Sequence, residues 1–395
     1  MSKLTIRQLH LSGKRVMIRV DFNVPLDEHG QIREDTRIRA ALPTIRLALE
    51  QEARVILVSH LGRPKGQPDA RYTLKPIQER LAQLLGQPVA LAPECVGETA
   101  KAMVRAMRPG AVLLLENVRF HPGEEQNDPK FALQLAALAD VVVIDAFGTA
   151  HRAHASNVGI GRFIQPMVAG LLLADELACF ERSVRHPERP FAAILGGSKV
   201  STKIGVIESL TAKVDKLLIG GGMAFTFLAA MGKRVGASRV EPEMFATARR
   251  TMETASQRGV ELLLPMDVVA APHPESTLTS QKLFMDEIPD NWMGLDIGPV
   301  TVEHFIHALN GMKTILWNGP MGVFEKEPFA AGTMQIALAV AKSGALSVVG
   351  GGDTDAAVRQ AGVVERISHI STGGGAFLEL LEKGDLPGIQ VLTEA

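Results

Sequence analysis

Cysteine is almost missing from this chain: among its 395 residues only Cys95 and Cys179 occur. Two are too few for a disulfide framework or a thiolate metal site, so they are expected to be core thiols in a reducing compartment. Long apolar runs are missing as well. Even LLLADELACF, at 171–180, is broken by charge, and no stretch of 18 residues suits a membrane span. The opening MSKLTIRQLHLSGKRV mixes charged and apolar residues without a signal-peptide core, which points to the cytoplasm. Nor is there an excess of charge. With 42 Lys and Arg against 43 Asp and Glu, the net of -1 calls for neither nucleic acid nor a membrane surface, and any anion recognition must be local.

What is present reads as globular. The chain is 46% hydrophobic and 22% charged, and its length suits two domains. Short runs rich in β-branched residues, at 16–20, 55–59, 111–116 and 141–145, alternate with stretches of helical spacing such as 35–50 and 74–85. Runs of this kind suit strands buried on both faces of a parallel sheet. A second series follows at 191–195, 216–219, 261–264, 314–317, 346–349 and 368–370. The expected fold is therefore two doubly wound parallel-sheet, Rossmann-like α/β domains. The segment 166–190 lies between them and contains a helix that could bridge two lobes.

Each strand is followed at once by polar or glycine-rich residues, where open parallel sheets bind ligands. The first half places Arg63, Arg119, Arg152 and His60 after its strands, with Arg37 entering from TRIRAALPTI. Several planar guanidinium forks together suit a small polyanion, and Asp21 and Asn23 could accept from its hydroxyl, although any one such arginine is most often a solvated surface residue. HLGRP and TAHRAH offer no zinc spacing. His60 and His151 are therefore read as donors to a substrate oxygen or as loop-stabilising residues.

The second half carries glycines instead. LGGSKVSTKIGVIESL follows a strand and opens a helix, a place where phosphate oxygens can meet backbone N–H groups. A glycine pair after a strand can equally be no more than a tight turn. Lys199 and Lys203, four apart, are expected on one helical face. No G-x-x-x-x-G-K-[ST] is present, which disfavours a P-loop kinase. Triple glycines end three other strands, at 220–222, 350–352 and 373–375, and allow backbone to approach a ligand closely. Asp353, in GGGDT, suits a Mg²⁺ held mostly by nucleotide phosphates and water, or else an N-cap for the following helix.

Taken in order, RVDFNVP (19–25), TRIRAALPTI (36–45), SHLGRP (59–64), LENVRFHPGEE (115–125), DAFGTAHRAH (145–154), LGGSKV (195–200), GGGMAFTF (220–227), WNGPMGVFE (317–325), GGGDT (350–354) and STGGGA (371–376) resemble the phosphoglycerate kinases nearly end to end. The resemblance implies an acid-binding domain at 1–170, an interdomain helix or linker at 171–188 and a nucleotide-binding domain at 189–375. It also implies a tail, from about 376 to 395, that packs back on the first domain. Asp21, Phe22, Asn23, Arg37, His60, Leu61, Gly62, Arg63, Arg119 and Arg152 would hold 3-phosphoglycerate or 1,3-bisphosphoglycerate. For ATP or ADP the matching positions are Gly196, Gly197, Lys199, Lys203, Gly221, Gly294, Asn318, Glu325 and Gly350, Gly351, Gly352, Asp353 and Thr354. Arg37, Lys199 and Lys203 match catalytic positions, Asp353 the Mg²⁺-associated carboxylate, Glu325 a residue near the ribose and Gly294 one beside adenine. Phe377 and Val300 depart from the usual residues at their positions.

The chemistry so implied is reversible phosphoryl transfer between an acyl phosphate and ADP, by a monomer with hinge closure. Both nucleophiles are already anionic, so no general base is required, in keeping with motifs rich in Arg and Lys. The hinge candidates are the helix after Pro166 and residues 371–375. Another carboxylate kinase, or a non-catalytic nucleotide-binding relative, stays open at this level.

Overall fold

A computed structural model describes residues 3–395 and divides the chain into two compact units. One runs to Ala178 and regains the chain at Asp385–Ala395; the other is Cys179–Gly384. The division falls inside the helix Leu171–Phe180, which continues as a π-helix over Glu181–Arg185.

The first unit is built on a six-stranded parallel sheet. Its strands are β1 (Arg15–Val20), β2 (Arg54–Val58), β3 (Val89–Leu91), β4 (Val112–Leu114), β5 (Val141–Asp145) and β6 (Met167–Ala169), in the order β3-β4-β2-β1-β5-β6. Of the central strands, β5 is buried throughout and β1 from Val16 onward, in keeping with their largely apolar sequences. Against them lies the helix Thr36–Glu50, which buries Ile38, Ala41, Leu42, Ile45 and Ala48, a stripe at helical spacing. Full burial of each large side chain contributes roughly 1.5–3 kcal/mol. From β1 the chain first builds outward through β2, then returns to add β5 on the opposite side. The order thus reverses at β1, whose carboxyl end leads into Asp21.

The second unit repeats this plan. Its parallel strands β7 (Phe191–Leu195), β8 (Lys216–Ile219) and β9 (Glu261–Leu263) share a sheet with three later strands, β13 (Thr314–Asn318), β14 (Leu346–Gly350) and β15 (His369–Ile370). The order is β15-β14-β13-β7-β8-β9, reversing at β7, which leads into Gly196. Between β9 and β13 the chain adds an antiparallel sheet of β10 (Asp267–Ala271), β11 (Gln281–Phe284) and β12 (Met293–Ile297), ordered β11-β10-β12.

The two doubly wound sheets agree with expectation, and so does the burial of both cysteines. The antiparallel sheet was not foreseen, and neither were β3 and β6, three residues each. The tail is shorter than expected. The helix Gly375–Lys383 belongs to the second unit, where Ser209 Oγ donates to the Leu381 carbonyl at 2.7 Å. Only the residues from Asp385 onward return to the first unit. There Gly388 N donates to Ala150 O (2.8 Å) and Thr393 N to Met167 O (2.8 Å), while Leu386 and Ile389 are fully buried.

Candidate active site

At the carboxyl ends of the first sheet, side chains are fixed by one another before any ligand arrives. Arg37 stands in the first turn of Thr36–Glu50 and donates from one guanidinium nitrogen to Asp21 Oδ2 (3.1 Å) and to Asn23 O (2.9 Å). It is exposed, which leaves the rest of its fork available. The start of that helix is braced by Asp35, which accepts from Arg39 and from Arg80. Those hydrogen bonds hold the Asp35 carboxyl below the usual carboxylate range.

Asn23 also accepts from Gly62 N (2.8 Å), and Gly62 O accepts from Arg119 (2.8 Å). Gly62 has φ +61°, and a Cβ there would run into the Tyr72 ring, so only glycine fits this tie. Arg119 is 5% exposed and faces Glu125 at 3.2 Å. Arg152 donates to His151 Nε2 at 3.2 Å, and Arg63 is exposed just beyond Gly62. His60 is buried, and burial, then the charges of Arg19, Arg119 and Arg37, push its pKa well below the ordinary value. It is neutral near pH 7.

Two residues expected here do not present side chains to a ligand. Phe22 and Leu61 are buried in the apolar core, and only their backbones serve the strand ends. Phe22 N donates to Ser59 Oγ and Leu61 O accepts from Asn117. In the other direction, sequence reading missed Arg19, Asn117, Glu124 and Ser156. A charged residue inside the apolar strand RVMIRV was the available signal for Arg19, because a buried charge requires partners.

In the second unit, the loops after β7, β8 and β13 are packed backbone on backbone. Gly196 N donates to Asn318 O (2.9 Å), Gly197 N to Pro320 O (3.1 Å), Gly221 N to Met321 O (3.1 Å) and Met223 N to Gly197 O (2.9 Å). A Cβ at Gly196, Gly221 or Gly319 would collide with the neighbouring main chain. Asn318 and Thr354 are buried ties of the same kind: Asn318 Nδ2 donates to Gly350 O (2.6 Å), and the Thr354 hydroxyl accepts from Gly319 N (2.7 Å). These glycines therefore serve loop packing first. Gly352 differs. Space beyond it is open, and it begins the helix Gly352–Gln360. Gly351 is the cap of that helix, so Asp353 is not; it lies exposed in the first turn.

The expectation that Lys199 and Lys203 share a helical face fails. The helix starts at Ile204, and Lys203 is its non-helical cap residue (φ −128°, ψ 2°). Glycine freedom at 196–197 sends this stretch through a turn before helix can form. Lys203 Nζ instead donates to Gly196 O (2.5 Å) and Asn318 O (3.1 Å), while Lys199 is half-buried near the Glu241 charge.

Burial pushes the Lys203 pKa down from 10.5 to about 8. Its folded pKa lies below its unfolded one, so between these values the unfolded chain holds more protons, and stability rises with pH over that window. The cost of the buried ammonium is fully felt below about pH 8. Thermal melts without nucleotide should therefore show the wild type gaining on Lys203→Met from pH 8 towards 10.5, by on the order of 1–3 kcal/mol.

Beside these loops lies a cavity of about 520 Å³. Its walls are largely apolar, with Phe225, Leu295, Met321 and Val323 prominent, and it extends past Gly197 and Gly221 to Glu325 and Asp353. Gly294 is on its wall, pressed so closely on the Phe225 ring that a Cβ would collide with it. Asp296, on the same wall, accepts from Gly332 N (2.7 Å), and burial lifts its pKa to about 8. No group of three or more His, Cys, Asp or Glu able to hold a metal exists among the described residues.

Fold and site geometry together define the class as an α/β protein of two doubly wound parallel sheets, with clustered polar side chains at the strand ends of one unit and glycine-rich loops beside a cavity at those of the other. Sequence comparison supplies the family. The family model for phosphoglycerate kinase matches residues 6–384. Phosphoglycerate kinase from Thermosynechococcus vestitus is 56% identical over 401 residues, covering 100% of both chains. That from Pelotomaculum thermopropionicum is 55% identical over 394 residues, again covering both fully. Among solved structures, phosphoglycerate kinase from Coxiella burnetii superposes with a TM-score of 0.91 at 42% identity, covering 98% of each chain. The Pyrococcus horikoshii enzyme gives 0.82 at 31% identity, with the same coverage. This chain belongs to the phosphoglycerate kinase family. Its reaction is the reversible transfer of a phosphoryl group from 1,3-bisphosphoglycerate to ADP, giving 3-phosphoglycerate and ATP in glycolysis.

Proposed function

We propose that the two ends of this reaction are divided between the units. Arg37, His60, Arg63, Arg119 and Arg152, with Asp21 and Asn23, hold the acid; the cavity and the start of Gly352–Gln360 hold the nucleotide. The difference in chemistry between the two strand-end sites carries this reading: donors braced on one another in the first unit, and an apolar cavity bordered by glycine backbone in the second. A small polyanion suits the former. A base on apolar walls, with phosphates reaching a helix N-terminus, suits the latter.

In the ATP-forming direction the attacking group is an anionic phosphate oxygen, so the protein needs to align and neutralise rather than take a proton. Arg37 brings an exposed, tethered fork to the transferring group. Lys199 supplies a second cation, and Lys203 holds the loops after β7 and β13 in place. Asp353 fits Mg²⁺, because one exposed carboxylate beside the phosphate position is what a metal bound chiefly by phosphates and water needs from the protein. Such a metal offsets charge on the nucleotide phosphates. The near-neutral net charge and the buried cysteines support a cytoplasmic enzyme, and we infer a monomer.

An assay of ATP consumption with Mg²⁺ and 3-phosphoglycerate, against acetate and aspartate, tests the acceptor. Turnover with acetate or aspartate but not with 3-phosphoglycerate overturns it. Gly294→Val tests the cavity, since the new side chain displaces the Phe225 ring into it. The expected result is a KM for ATP raised by about tenfold or more, with the KM for 3-phosphoglycerate within about twofold.

A further inference from the structure

Beneath the proposed acid site runs a chain of buried polar groups. Glu124, fully buried, accepts from Ser156 twice, at Oε2 from the backbone N–H (2.9 Å) and at Oε1 from the hydroxyl (2.6 Å). The same hydroxyl accepts from Arg19 Nε at 2.9 Å. Arg19 is 1% exposed and donates from its two terminal nitrogens to Val20 O and to His60 Nδ1, the latter at 3.2 Å. A guanidinium has no lone pair to offer, so the nitrogen it meets must be the acceptor. The imidazole proton is thereby placed on Nε2.

We propose that Glu124, Ser156 and Arg19 are positioning residues that fix the tautomer of His60, so that Nε2–H is presented as a donor to the acid substrate. Arg19 is sealed from solvent and acts only through His60. Glu124 supplies the negative charge that makes a buried, permanently cationic Arg19 tolerable, and Ser156 fixes the distance between them. The groups facing His60 favour this state. Asp21 Oδ1 lies 3.9 Å from Nδ1, too far to take a proton in a hydrogen bond, while the charges of Arg19, Arg119 and Arg37 oppose a second proton on the ring. His154, 3.8 Å from Glu124 Oε1, is held neutral by burial, with its pKa pushed down to about 4. A substrate carboxylate or hydroxyl oxygen thus meets an N–H rather than a lone pair. In the wrong tautomer it would meet repulsion.

The inference rests on the reading of His60 as an acid-binding residue, and the test separates the two. Long-range ¹H–¹⁵N spectra of the whole enzyme without ligand, assigned with His60→Gln, should show His60 bare at Nδ1 and protonated at Nε2 from about pH 6 to pH 8. A proton on Nδ1, or a doubly protonated ring in that range, overturns the proposal. Ser156→Ala and Glu124→Gln should mix the tautomers and raise the KM for 3-phosphoglycerate by about tenfold, the size of one lost charge-assisted hydrogen bond, with the KM for ATP within twofold. A folded variant with an unchanged tautomer and unchanged KM also overturns it. Should neither variant fold, the wild-type spectrum still decides the tautomer. If the tautomer is as stated yet 3-phosphoglycerate leaves the Nε2 signal unmoved, the acid-site reading of His60 fails, and with it the role of donor to substrate, while the fixing of the tautomer by Arg19 stands.

Discussion

Arg37→Ala should lower kcat by about 10² to 10⁴ while leaving the KM for ATP within a few-fold, as expected for loss of a donor that acts on transition-state charge. The structure adds a reason for expecting the effect in kcat. Arg37 is already tethered to Asp21 and Asn23 through one nitrogen, so the bound fork is preorganised and little ordering remains when charge develops. Arg37→Lys should rescue poorly, because a single ammonium cannot keep both tethers and still reach out. Steady-state kinetics in both directions check this. A kcat for Arg37→Ala within twofold of wild type removes Arg37 from the catalytic set. Thermal melting should be nearly unchanged, since an exposed arginine paired at the surface contributes little to stability.

Lys199→Ala should produce a loss of the same order in kcat, about 10² to 10⁴, from the nucleotide side. Its position in the turn after β7, rather than on a helix, allows it to move with the phosphates, whereas Lys203 is committed to the carbonyls of Gly196 and Asn318. The two lysines should therefore fail differently. Lys199→Ala should keep normal stability and nucleotide affinity within about tenfold while turnover collapses. Lys203→Ala should instead loosen the loops after β7 and β13 and show itself in both stability and nucleotide KM. Pre-steady-state transfer measured alongside nucleotide titration separates these outcomes, and identical profiles for the two variants would contradict the assignment.

Much of this was legible in the sequence, for identifiable reasons. Parallel strands buried on both faces must be largely apolar, which is why β5 and β7, buried along their whole length, could be read as continuous runs. β3 and β6 are closed in at once, β3 between Pro88 and Pro93 and β6 between Pro166 and Gly170, so no longer apolar run stands out. DVVAA, which forms β10, was a visible apolar run bounded by prolines, and its antiparallel pairing with β11 and β12 depends on residues 11 or more positions away. The site was legible where arginines and glycines follow strands. It was illegible where position depends on packing: the cavity walls come from segments as distant as Gly197 and Asp353, and no spacing rule joins them. Lys199 and Lys203 were misread because helical spacing was counted from residues that φ at Gly197, +107°, turns away from helix.

The loops after β7, β8 and β13 form a plate of main chain in which a Cβ at Gly196, Gly221 or Gly319 would collide with the neighbouring backbone. Such a plate is closed on itself, with the amides of Gly196, Gly197 and Gly221 spent on neighbouring carbonyls, and no side chain can be added at its tight glycines without parting the loops. On the proposed nucleotide reading, sequence change that reshapes the cavity is thereby directed to its side-chain walls, at Phe225, Leu295, Met321 and Val323, while the plate beside them keeps its form.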